Sequence, residues 1–270
     1  MCAWTYINSN LFDIKMIIQK DSNDIYHSHD SISASGLKTI AQYGIEYYLT
    51  QTHTESEAMK LGTAIHTAIL EPDTFFDIYE IMTEKFDLRT KIGKAKKLEF
   101  EEKAKGKIVL QKDQYHVIKN LMKRVDTNSL AKKYLKGEKE LSHYLEYEGM
   151  PVRVRPDVVN HVEGFIADVK KTRLTASDKD FAKVVRQFGY HIQAAFYMDM
   201  LGVDTFRFIV CEDKPPYTIV VHALCDESIE KGRKAWKDAF EQWKNYKLTG
   251  QITSYQPRDV ADDGAFLIRI

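Results

Sequence analysis

The chain changes its hydrophobic period part-way along, and that change restricts the fold more than any other feature. Residues 140–148 (ELSHYLEYE), 151–159 (PVRVRPDVV) and 165–172 (FIADVKKT) alternate or run apolar in short pieces separated by glycine-containing turns, which predicts a β-meander. Upstream the period is helical. Residues 31–51 form one helical stretch with Ser33 or Ser35 as cap, 56–70 a second closed by Glu71-Pro72, and 111–136 a third. Downstream, 179–201 predicts an amphipathic helix with Phe181, Val184, Val185, Phe188, Ile192, Ala195 and Phe196 on one face. Strands at 205–211 and 217–224 flank Pro215-Pro216, and a charged helix at 228–247 follows. Helices, a meander, then helix, strands and helix predict a mixed central sheet with helices on both faces. That is one α/β domain, or α+β if the sheet is mostly antiparallel.

With 270 residues, 44% of them apolar, the chain can bury one large core or two small ones. We expect a single domain over 1–270, with an N-terminal extension (1–30), a mainly helical part (31–136) and a sheet-containing core (137–270). No apolar run approaches the ~18 residues of a membrane span, and MCAWTYINSN lacks the pattern of a secretory signal. Cys2, Cys211 and Cys225 are odd in number and outside any C-x-x-C spacing. They argue against a disulfide framework, a structural zinc or an iron–sulfur cluster, and suit a reducing cytoplasm. The balance of 39 basic and 39 acidic residues counts against a protein that coats nucleic acid non-specifically. Residues 85–107 nevertheless carry nine Lys/Arg against four Asp/Glu. They predict a mobile loop or broken helix, either a solvated face or a contact for DNA.

Side-chain alternation then places charges. Val152, Val154 and Val158 point one way and Arg153, Arg155 and Asp157 the other. Phe165, Ala167 and Val169 share one face, while Ile166, Asp168, Lys170 and Thr172 share the opposite one. A turn centred between Val162 and Glu163 sets Asp157 opposite Asp168 and Arg155 opposite Lys170. Directly opposed side chains sit ~4.5–5.5 Å apart at Cβ, where like charges repel. Two such carboxylates share a proton or share a cation. The adjacent Lys170 favours the cation, and hard oxygen ligands suit Mg²⁺ or Mn²⁺. Lys170 would then orient or deprotonate an attacking water, or neutralise charge developing on a phosphoryl group. Two facing cations, Arg155 and Lys170, fit a site awaiting phosphate.

Pro156-Asp157, ten intervening residues and Asp168-Val169-Lys170 resemble the PD-(D/E)xK nuclease signature. SISASGLKTI (31–40), LGTAIHTAILEP (61–72), VRVRPDVV (152–159), IADVKKTR (166–173) and GYHIQAAFYMDML (189–201), in that order, together resemble the phage-type exonuclease VIII (RecE) nuclease domain. The resemblance implies a restriction-endonuclease-like core. It implies a magnesium-dependent 5′→3′ exonuclease on linear double-stranded DNA, with Mn²⁺ able to substitute and no iron–sulfur cluster. It also implies a homo-oligomeric ring working beside a single-strand annealing protein in phage-type recombination, phage or prophage encoded and cytoplasmic. Carried over to these positions, His66, Asp157 and Asp168 are metal ligands, the carbonyl of Val169 completes the shell, and Lys170 is the catalytic lysine. Gln193 and Tyr197 match a Q-x-x-x-Y pattern. Lys171 stands where threonine is frequent, and Tyr43-Gly44 where proline is common.

Several residues carry two readings. From the residues alone His66 is a surface or satisfied histidine; with the resemblance it holds metal from the helix side. Glu71 is a helix-end acid or an outer partner of the site. Glu140 is a surface acid in GEKE or an acid beside the metal. Lys183, Arg186, Tyr190, Gln193 and Tyr197 fall on one stripe of the 179–201 helix, suited to a DNA backbone and an active-site rim. Lys171 and Arg173 extend the basic cluster. The alternatives are another PD-(D/E)xK nuclease, endonucleolytic or single-strand-specific, a non-catalytic DNA-binding module that keeps the fold, or more distantly a small-molecule metallohydrolase.

Overall fold

The computed structural model describes residues 16–52, 56–255, 260–262 and 265. The first half of the expected N-terminal extension, with Cys2, lies outside the described residues. In chain order the elements begin with β1 (Ile17–Gln19), α1 (Asn23–Ser28), β2 (Ile32–Ser33), α2 (Ala34–Thr50) and α3 (Glu57–Leu70). Next come the one-turn α4 (Phe75–Ile78), β3 (Tyr79–Met82), α5 (Lys91–Lys103), β4 (Ile108–Gln111), α6 (Lys112–Thr127) and α7 (Ser129–Tyr134). Strands β5 (Glu138–Lys139), β6 (Ser142–Tyr147), β7 (Met150–Val154), β8 (Val158–Asn160) and β9 (Phe165–Thr172) follow. Helices α8 (Asp178–Phe188) and α9 (Tyr190–Leu201), strands β10 (Thr205–Glu212) and β11 (Ile219–His222), and α10 (Asp226–Thr249) complete the order.

The central sheet has the order β11-β10-β9-β8-β5 and is mixed, because β9 and β10 run parallel while the other pairs are antiparallel. Successive side chains of β9 enter opposite cores. Ile166 packs with residues of α2, α8, α9 and α10, and Phe165, Ala167 and Val169 pack with residues of α3, α6 and α7. Helices therefore cover both faces, as the order of periods predicted. Among the described residues no helix is long and apolar enough to cross a membrane.

The expected meander is instead divided between two sheets. The β6–β7 hairpin belongs to a separate sheet of order β1-β6-β7-β2, whereas β8 and β9 lie in the central one. The chain crosses between them at Arg155-Pro156-Asp157, where Pro156 has no N–H to continue a ladder. The crossing also changes parity. Val152 and Val154 join the core of Ile166, and Val158 enters the other, so these three valines do not share one face as alternation alone suggested.

The single helix expected at 179–201 is two. Gly189 adopts φ 64° and ψ 33°, ending α8 and starting α9 in a new direction. The proposed stripe is broken accordingly: Lys183 and Arg186 stay exposed on α8, with Lys183 bonded to Asp180 at 2.8 Å. Phe188, expected in the core, is 49% exposed at the break. Gly44, where the resemblance has proline, interrupts α2 with φ 84°, and a Cβ there would meet the Ser254 carbonyl at 2.7 Å. Residues 85–107 contain a helix, not a mobile loop. Thr90 caps α5 by accepting from Gly93 N at 2.9 Å, and Lys97–Glu101 and Lys103–Glu99 pairs one turn apart support it.

Candidate active site

A cleft of about 730 Å³ opens where α3, α9, the start of α2 and the segment around α1 meet the central sheet. His66 projects into it from α3, which packs across β9. Asp157 follows the proline crossing, one residue before β8. Its Oδ2 accepts the backbone N–H of Val169 at 2.6 Å and lies 3.4 Å from His66 Nδ1. Glu140 sits between β5 and β6 with φ 53°, a left-handed conformation costly for a non-glycine residue. Its N–H donates to the Asp157 carbonyl at 3.3 Å, which holds the two acids together.

His66, Glu140 and Asp157 offer ligand atoms that all lie within 4.8 Å of one another. Burial, then the Asp157 charge, holds the Glu140 carboxyl well above the usual range, although Arg155 counteracts this. Burial, then Asp168, raises Asp157, against the pull of His66 and Lys170. A buried and a half-buried carboxyl that resist ionising beside each other, with an imidazole facing them, form a donor set that fits a divalent cation with oxygen and nitrogen preference. The residues present therefore fit the metal implied by the resemblance, with Glu140 joining His66 and Asp157.

Asp168 lies in the same cleft and is buried, with one oxygen hydrogen-bonded and the other facing a cation without a hydrogen bond of its own. Oδ1 accepts from Gln193 Nε2 at 2.6 Å, and Oδ2 is 2.5 Å from Lys170 Nζ. Burial works against the charge on Lys170. Asp168, Tyr190 and Asp157 outweigh it and raise the pKa above the ordinary lysine value. Lys170 is therefore an ammonium at neutral pH, 4.7 Å from the centre of the Tyr190 ring. That favours orienting or charge-stabilising roles over proton abstraction.

The remaining expected residues divide. Tyr197 lines the cleft and donates to the Arg155 carbonyl at 3.2 Å. Arg155 does not face Lys170, because β8–β9 pairing ends at Val158↔Ala167. It reaches instead to Asn23 Oδ1 (2.5 Å) and Glu140 Oε2 (3.6 Å), with its guanidinium 4.2 Å from the Tyr26 ring centre. Lys171 lines the cleft but is paired with Asp213 at 3.1 Å. Glu71 lies at the wall of the cleft in an ion pair with Lys20. Arg173 is exposed and outside it. Tyr26 and Asn23 had no motif to mark them, since their contacts with Arg155 join distant segments. A second cavity of about 790 Å³ lies beside β3 and the start of α6. It is mainly apolar and holds none of the acids gathered around His66, so the chemistry belongs to the smaller cleft.

Residues 33–253 match the family described as PDDEXK-like domain of unknown function (DUF3799). The chain belongs to that family. A solved structure from Eubacterium rectale, whose exonuclease designation is provisional, superposes with a TM-score of 0.58 at 16% identity, over 87% of this chain and 90% of that one. That likeness shows a shared fold. A phage related exonuclease from Haemophilus somnus 129PT aligns over 84% of this chain and all of its own at 15% identity, with a TM-score of only 0.35. No curated protein matches the chain.

Proposed function

We propose that this member of the PDDEXK-like DUF3799 family is a metal-dependent nuclease that removes nucleotides 5′→3′ from linear double-stranded DNA. The observation that carries the nuclease reading is the meeting of His66, Glu140 and Asp157 beside the Asp168–Lys170 pair in one cleft. Duplex preference and polarity rest on the resemblance to exonuclease VIII. The exonuclease designation of the Eubacterium rectale protein agrees with cleavage from ends.

His66, Glu140 and Asp157 would hold Mg²⁺ or Mn²⁺, which supplies Lewis acidity toward a phosphoryl oxygen. The chain's own residues do the rest. Gln193 fixes the Asp168 carboxylate, and Asp168 in turn fixes the Lys170 ammonium. From there Lys170 orients the attacking water and stabilises negative charge on the phosphoryl oxygens as water oxygen bonds to phosphorus, giving up its proton to solvent, and the bond to the sugar oxygen breaks, that oxygen taking a proton from solvent. Arg155, held on Tyr26, adds positive charge along the wall of the cleft. In this reading the protein works as a homo-oligomeric ring beside a single-strand annealing protein.

The test is incubation with Mg²⁺ or Mn²⁺ and three substrates: linear duplex bearing a 5′-phosphate, covalently closed circular duplex, and single strands. Loss of nucleotides from 5′ ends of the linear duplex alone is expected. Cutting of closed circles would make the protein an endonuclease, and digestion of single strands alone would reverse the substrate preference. Duplex binding without cleavage under either metal would favour a non-catalytic DNA-binding module.

A further inference from the structure

Lys38, on the second turn of α2, has no assigned role. Its aliphatic stem runs beside Gly189, where a Cβ would come within 3.3 Å of Lys38 Cγ. The left-handed break between α8 and α9 thus leaves room for this side chain beside Tyr190, a residue that lines the cleft. Its ammonium ends 5.4 Å from the centre of the Tyr190 ring, the same ring that Lys170 approaches at 4.7 Å. Lys170 has Asp168 as its counter-ion. Lys38 has none: among the described residues no carboxylate oxygen lies within 4.0 Å of its Nζ.

A crowded cation without a counter-ion, beside a second cation, destabilises a folded protein unless something compensates it. The cation–π contact with Tyr190 offsets part of that cost. Burial, followed by the Lys170 charge, pushes the Lys38 ammonium down to about 8, which agrees with a missing negative partner. The protein supplies one carboxylate to two ammonium groups around one ring.

We propose that Lys38, next to Lys170 across Tyr190, is an anion subsite that takes a phosphate group of the nucleic-acid substrate adjacent to the one undergoing cleavage. This rests on the nuclease reading for the identity of the substrate, but the missing counter-ion does not. The phosphate oxyanion is the partner Lys38 lacks, and it completes the charge balance only in the complex.

The test compares wild type, Lys38→Met and Lys38→Arg. Lys38→Met keeps the length of the stem and removes the charge. It is expected to raise the melting temperature of the DNA-free protein, to weaken binding of a 5′-phosphorylated duplex about tenfold with Ca²⁺ in place of Mg²⁺, and to reduce the salt slope of binding by about one. Lys38→Arg is expected to bind within about threefold of wild type. A lower melting temperature for Lys38→Met, or unchanged affinity and salt slope, overturns the proposal. If the wild type binds no duplex, stabilisation by inorganic phosphate is compared instead; loss in Lys38→Met supports the subsite and an equal shift removes it. Cleavage by the wild type with normal duplex binding by Lys38→Met would refute Lys38 alone. Phosphate or duplex binding through Lys38 without any cleavage would refute the nuclease reading alone.

Discussion

The Asp157 carboxylate accepts the backbone N–H of Val169 at 2.6 Å, so a side chain occupies the place a ladder partner would take just beyond Val158. One acid is thereby tied to the strand that carries Asp168 and Lys170, and its other contacts face the cleft. Structure and chemistry meet in this residue, and substitution can separate them.

Asp157→Asn retains an acceptor for the Val169 N–H and removes the charge. It is expected to fold with a melting temperature near or above that of wild type while losing cleavage by at least 100-fold. Asp157→Ala leaves a buried N–H unpaired and should cost about 1–3 kcal/mol in addition. Urea unfolding of both variants, alongside a cleavage assay, checks the difference. Equal destabilisation by Asn and Ala would contradict the role of the hydrogen bond.

The raised carboxyls of Glu140 and Asp157 set the sign of a pH effect. Between pH 4.5 and 8 the folded protein holds a Glu140 proton that the unfolded chain has released. Metal-free stability should therefore fall as pH rises through that window. Divalent ions bind the ionised groups, so stabilisation by Mg²⁺ should be small at pH 5 and larger at pH 8, and EDTA should reverse it. Melting temperatures with and without Mg²⁺ across the range test this; an Mg²⁺ shift independent of pH would refute it.

Gln193 and Lys170 act on opposite oxygens of Asp168, and their loss should differ in kind. Lys170→Met should reduce cleavage by about three orders of magnitude while leaving duplex and metal binding near wild type. Gln193→Leu leaves a buried carboxylate oxygen without its donor, which should lower stability by about 1–3 kcal/mol as well as activity. Calorimetric metal titration of both variants separates the roles. Full activity in Lys170→Met would end the proposed mechanism.

His143 predicts a separate acid limb. It is buried on β6, its Nδ1 lies 3.0 Å from the Leu141 carbonyl, and burial pushes its imidazole down to about 4. The folded state keeps this residue neutral while the unfolded chain protonates it near 6.5. Its contribution is complete above pH 6.5 and is lost as pH falls toward 4, on the order of 3 kcal/mol in all. His143→Gln should flatten the stability curve between those values; an unchanged slope would place the acid sensitivity elsewhere.

Local pattern was enough for the three ladder pairs of the β8–β9 hairpin, whereas the Asp157–Asp168 and Arg155–Lys170 pairs expected from the same register lie beyond the end of the ladder. Asn160↔Phe165, Val159↔Ile166 and Val158↔Ala167 are the pairs expected from a turn between Val162 and Glu163. Strand parity likewise put Lys170 on the side of Asp168, because side chains two apart on a strand share a face. Both follow from covalent geometry and a short turn, so a few neighbouring residues determine them.

The tertiary structure decided the rest. Pro156 sends β7 and β8 into different sheets, Gly189 divides one amphipathic run into two helices, and Glu140 turns inward through a left-handed backbone. Each is a single-residue departure from a regular period, which periodicity averages over. The meeting of His66 with Asp157, and of Lys38 with Tyr190, joins residues 91 and 152 positions apart in the chain. Such encounters depend on which helix packs on which sheet face, and that is settled by the whole core rather than by any one segment.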